Sequence, residues 1–112
     1  MIEVRIKEYL DTAFENTGVS VYLETPDTLP EKFIVFQVID RGKDNLIDAV
    51  TIEFSSFANS KYEAALLDEK LRGIIEDLHE GSDITFRLGG GSDETDTSLK
   101  KYRYRCFYNL YY

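Results

Sequence analysis

This chain has little of what small catalytic and metal-binding domains are built from. It carries one cysteine (Cys106), one histidine (His79), one methionine, two prolines and no tryptophan in 112 residues. One cysteine cannot close an internal disulfide, and Cys106 falls mid-strand on an apolar face. It is therefore read as a small core residue in a reducing compartment rather than a reactive thiol. One histidine and one cysteine cannot supply the roughly four ligands of a typical zinc site. His79 lies at the polar end of a predicted helix beside Glu80, where a solvated or helix-dipole role is expected, not general-base work. No nucleophile–base pair is visible, so no catalytic residue, metal or cofactor is expected.

Two further features are missing. No run of about 18 apolar residues could span a membrane, and the alternating charged and apolar residues of Met1–Glu8 do not resemble a signal peptide. Nor is there a basic surplus: 13 lysines and arginines face 21 acids, for a net charge of −8. Ordinary nucleic-acid binding needs a basic footprint to neutralise phosphates, and this balance argues against it.

What remains is an ordinary single-domain composition, 43% hydrophobic and 30% charged, expected to form one domain over residues 1–112. Ile2, Ile6, Tyr9, Leu10, Ala13 and Phe14 recur at helical spacing, and Gly18 suits a left-handed cap after them. Residues 19–23 read as a short strand and 24–30, with both prolines, as a loop. Phe33–Ile39 is apolar on both faces, the mark of a central strand covered on both sides. Two helices are too few for both faces of a sheet, so a neighbouring subunit is expected to cover part of the second one. Residues 41–45 read as a turn and 47–57 as the returning strand.

Ser60 and Glu63 have capping-box spacing, and Leu67, Leu71, Ile74, Ile75 and Leu78 continue a helix that Gly81 ends. Residues 84–88 read as a strand, 89–98 as a flexible acidic loop, and 101–111 as a final strand. The predicted class is α+β: two helices with a mixed, mainly antiparallel sheet, in the order α-β-β-β-α-β-β.

Three local features invite a binding role, and each has a plainer reading. Asp93, Glu94 and Asp96 could offer oxygens to calcium but lack a full ligand pattern. Gly89–Ser92 lacks the lysine and following helix of a phosphate loop, so slack between strands is expected. The final strand sorts by parity: Tyr102, Tyr104, Cys106, Tyr108, Leu110 and Tyr112 point one way, and Lys101, Arg103, Arg105, Phe107, Asn109 and Tyr111 the other. Arginine beside aromatics suits a single-strand nucleic-acid platform. The plainer expectation is that Arg103 and Arg105 pair with carboxylates such as Glu53.

Three segments, in order, carry a resemblance to a known family: LPEKFIV (29–35), VTIEFSSFANSKYEAALL (50–67) and TDTSLKKYRYR (95–105). In these the chain resembles the small tail terminator (head–tail joining, tail completion) proteins of siphophages and prophages of Gram-positive bacteria. The resemblance covers most of the chain. It implies a tail-terminator-like domain without catalytic residues, forming a ring, commonly a hexamer, on the last ring of tail-tube protein. Such a ring stops tube growth and presents a surface to the head connector, in a virion tail assembled in the bacterial cytoplasm. Its acidic lumen would let DNA pass without specific binding.

On this reading the candidate subunit-interface residues are Phe33, Val35, Gln37, Arg103 and Arg105. Candidate lumen or docking residues are Arg41, Lys43 and Asp44 in the 40–46 loop, and Asp93, Glu94 and Asp96 in the 89–98 loop. The alternative is a small non-catalytic module whose C-terminal aromatic strand engages a protein or nucleic-acid partner.

Overall fold

The structure, a computed structural model, describes residues 2–44, 47–93 and 102–112. Helix α1 (Ile2–Ala13) leads to strands β1 (Ser20–Tyr22), β2 (Phe33–Asp44) and β3 (Ile47–Ala58). Helix α2 (Lys61–Gly81) follows, then β4 (Thr85–Asp93) and β5 (Tyr102–Tyr111). The strands form one sheet in the order β1-β2-β3-β5-β4. Only the β1–β2 pairing is parallel; the other three are antiparallel. The architecture is α+β with the predicted order of elements.

Local sequence accounts for the element ends. The first helix closes through Asn16 and Gly18, both at positive φ (63° and 80°), a conformation glycine adopts without a Cβ penalty. At the start of α2, Ser60 is the N-cap, and its Oγ accepts from the Glu63 amide at 3.1 Å. At its other end His79 Nδ1 accepts from the Phe86 backbone N–H at 3.0 Å. The lone histidine therefore ties α2 to β4, a tertiary role that its position in the helix does not announce.

Up to the register shifts after Val38 in β2 and Leu88 in β4, the even-numbered residues of the long strands face the helices. Ile34, Phe36, Val50, Ile52, Phe54, Cys106, Tyr108 and Leu110 join Ile2, Ile6 and Leu10 of α1 and Leu67, Leu71 and Ile75 of α2 in one buried cluster. Burying a large apolar side chain contributes about 1.5–3 kcal/mol, so this layer is where most of the stability resides. Both helices are spent on this one face.

Two predicted loops differ from the structure. Residues 41–44 continue β2, with Arg41 opposite Val50 and Lys43 opposite Asp48, so the connection between β2 and β3 shrinks to residues 45–46. Keeping the ladder this long satisfies backbone groups that a wider turn would leave to solvent, and Lys43 and Asp48 add a 3.7 Å ion pair. Residues 90–93, within the stretch expected as slack, pair with β5 instead. The glycines admit a register shift between Leu88 and Gly90, and Gly90 sits at φ 149°. The remainder of the predicted 89–98 loop, with Glu94 and Asp96, lies outside the described residues.

Candidate interaction face

Odd-numbered residues of β3 and β5, together with Phe33, Val35 and Gln37 of β2, form the opposite face of the sheet. None of the described helices packs there. Its centre is Glu53, only 8% exposed although it lies on the uncovered side. The reason is two arginines from the adjacent strand. Arg103 Nη2 reaches Glu53 Oε1 at 2.9 Å and Arg105 Nη1 lies 3.8 Å from the same oxygen. Ser55 Oγ accepts from Arg103 Nε at 3.1 Å, linking the cluster to the backbone of β3.

Antiparallel pairing sets this geometry, because Glu53 opposes Phe107 and Ser55 opposes Arg105. Arg105 is thereby a diagonal neighbour of the carboxylate, while Arg103, opposite Phe57, reaches it along the same face past Ser55. A hydrogen-bonded, charge-assisted cluster of this kind holds its side chains in place.

Aromatic rings flank the cluster. Phe57 stacks on Phe33 with centroids 4.6 Å apart, and Tyr22 meets Phe33 edge-on. Arg103 lies over Phe57, Arg105 over Phe107 at 4.8 Å, and Arg87 over Tyr111 at 5.8 Å. Thr51 donates to Asn109 across the β3–β5 pair at 2.7 Å. A hollow of about 260 Å³ opens beside the cluster, between Leu23–Thr25 and Val35, Gln37, Glu53 and Arg103.

The structure thus brings the five candidate interface residues onto one face. Their exposures differ: Phe33 is 1% exposed, sealed by Tyr22 and Phe57, whereas Gln37 is exposed and Val35, Arg103 and Arg105 are half-buried. Phe33 is the floor of the face and the other four are its surface. Arg87, Phe57 and Phe107 complete it. Strand parity was the available signal for Phe57 and Phe107, whereas Arg87 joins the face only through the register that sets it opposite Asn109. Of the candidate docking residues, Arg41 is on the helix side, ion-paired with Glu3 of α1. Lys43 is paired with Asp48, and Asp44 and Asp93 end β2 and β4. They do not converge with the arginine cluster.

A second polar cluster lies beneath α2. Asp68 and Arg72, one helical turn apart, form an ion pair at 3.0 Å. Asp68 is 7% exposed, and its Oδ1 is buried without a hydrogen-bond partner. Burial pushes its carboxyl above the usual range, with Arg72 opposing. Burial also lifts the Cys106 thiol to about 12, helped by the Asp68 charge, and Tyr108 to about 12. A thiol held protonated and fully enclosed is a poor nucleophile, and Cys106 packs as a core residue. Among the described residues no group of three or more histidine, cysteine or acidic side chains is placed to hold a metal ion. No described helix is long and apolar enough to cross a membrane.

The chemistry on offer is therefore recognition through a shaped, cationic and aromatic sheet face. Set against models of known protein families and against curated proteins, the chain matches none of them.

Proposed function

We propose that this chain is a structural, non-catalytic tail protein of a phage or prophage, with the uncovered sheet face as its principal subunit contact. It assembles as a ring, expected to be a hexamer, at the head-proximal end of the tail tube in the virion. There it ends tube growth, offers the joining surface to the head connector and lets DNA through without specific binding. The observation that carries this reading is the uncovered sheet face itself. It holds a desolvated carboxylate, two arginines locked onto it and several half-buried aromatics, on a domain whose described helices pack on the other side. Rigid arginine and aromatic side chains are what protein contact surfaces are enriched in. The three-segment resemblance supplies the biological setting, and the charge of −8 suits a ring through which DNA slides.

The test is direct. Purified chain added to polymerising tail-tube subunits should shorten the tubes and cap one end with a ring visible by electron microscopy. Tubes of unchanged length and bare ends would sink the proposal.

The alternative of a binding module for single-stranded nucleic acid draws on the arginine–aromatic pairs. Its weakness is geometric: each guanidinium already lies over a ring on which a base would stack. A salt-dependent titration with single-stranded oligonucleotides separates the two, since tight binding at physiological salt would favour the module.

A further inference from the structure

We infer that the occupant of the uncovered sheet face is the outer ridge of α2 from a second copy of this chain. The inference rests on the ring reading above and names the two surfaces that would meet.

The first argument is charge. The sheet face carries three arginines, Arg87, Arg103 and Arg105, against two carboxylates: Glu53 at its centre and Asp40, opposite Thr51, at its edge. This is a locally cationic surface on a chain whose net charge is −8. The outer ridge of α2 has the opposite sign: Glu69, Glu76, Asp77 and Glu80 are all exposed along it. Lys70 is turned away toward the end of α1, its Nζ 5.6 Å from the Phe14 ring centroid. The spans agree as well. Glu69 to Glu80 covers about 17 Å of helix, and Arg103 to Arg87, beside Asn109, about 20 Å of sheet. Complementary potentials of this kind set the register and rate of association.

The second argument is what the ridge carries besides charge. Tyr62 is 74% exposed and Leu66 47%, one turn apart on the same ridge. Two turns further on stands Gly73, exposed in the middle of a 21-residue helix. A Cβ at Gly73 would meet nothing within 4 Å, so no packing among the described residues calls for glycine there. Glycine weakens a helix interior and permits close approach of another backbone or side chain. An apolar pair, a gap and acidic residues in one line suit a sheet face on which arginines and aromatic rings alternate, Arg103 over Phe57 at one end and Arg87 over Tyr111 at the other. Because the two surfaces are different patches of one molecule, the contact is head-to-tail, the type that closes into rings.

The test uses two charge-reversed full-length chains, Arg87→Glu and the double variant Glu76→Lys with Asp77→Lys. Their masses are followed by light scattering alone and mixed in equal amounts. The parent chain should self-associate, each variant alone should do so about tenfold more weakly or worse, and the mixture should recover the parent's assembly. In the mixture every sheet-to-helix contact again joins opposite charges. Gly73→Gln, which alters no charge and meets no neighbour in the fold, should weaken assembly while its unfolding midpoint stays at or above the parent's. If the parent assembles and all three variants assemble equally well, the α2–sheet pairing is overturned and the ring reading stands. If the parent stays monomeric at every concentration, and on tail tubes too, both fall together.

Discussion

Glu53 Oε1 receives Arg103 Nη2 at 2.9 Å while Arg105 Nη1 stands 3.8 Å away, so one carboxylate holds two guanidinium groups on a face no described helix covers. Glu53→Gln removes the shared counter-charge and leaves the two arginines repelling each other. The arginine side chains are about one-third exposed, so water softens the loss. A destabilisation of about 1–2 kcal/mol is expected, read as a lower urea midpoint at unchanged slope. A change under about 0.5 kcal/mol would mean that the cluster contributes nothing to holding the face.

Two glycines should respond in opposite directions. A Cβ at Gly91 would collide with the Arg72 guanidinium and come within 3.1 Å of the Arg105 carbonyl oxygen. Gly91→Ala is therefore expected to destabilise by about 1–3 kcal/mol. Gly73→Ala meets open space on a helix and should stabilise by about 0.5–1 kcal/mol. Urea unfolding of both, under conditions where the chain is monomeric, checks the pair; the same sign for both would contradict the packing described.

Asp68 and Asp83 should leave opposite signatures in stability against pH. The folded-state carboxyl of Asp68 is raised above 3.8 by burial, so its contribution is present below 3.8 and is lost as pH rises through the raised value. That of Asp83 is lowered by its 2.7 Å hydrogen bond from Arg5, so its contribution is present above 3.8 and is lost as pH falls through the lowered value. The stability of the parent minus that of Asp68→Asn should therefore fall with rising pH just above 3.8. The difference for Asp83→Asn should instead rise with pH at and below 3.8. Denaturant titrations across the range from about pH 3 to pH 7 give both slopes.

Cys106 is fully buried, with its thiol pushed up to about 12. A thiol reagent at mildly alkaline pH should modify the native chain only as fast as it opens, and promptly once denaturant is added. Rapid native-state labelling would place Cys106 at an accessible surface instead of under α2.

Much of the architecture was legible in the chain because its signals are local. The helical stripes from Ile2 to Phe14 and Leu67 to Leu78, the Ser60 cap and the parity of residues 102–112 each act over a few residues. The two failures, at 41–44 and 89–93, arose where turn-forming residues were recruited into strands. Gly42 and Gly89–Gly91 look like loops in isolation, but a long partner strand satisfies their backbone groups and so overrides the local preference. Parity also foretold that Arg103, Arg105 and Glu53 would share a face. It said nothing of Arg87, whose place depends on the register of β4 against β5, or of His79, whose partner is a backbone amide seven residues away.

By itself, the sequence determined the element order, the helix-facing core and the presence of one arginine-bearing strand face, because hydrophobic periodicity encodes which side of each element is buried. The chain also pointed to helices on one face and to Arg103 and Arg105 pairing with Glu53; only the tertiary structure decided that the two arginines leave Glu53 8% exposed and that Arg87 joins their face. It also decided that nothing among the described residues packs within 4 Å of a Cβ placed at Gly73, in the middle of the acidic ridge of α2. These depend on strand order and register, which are settled by contacts between residues fifty positions apart rather than by neighbours in sequence.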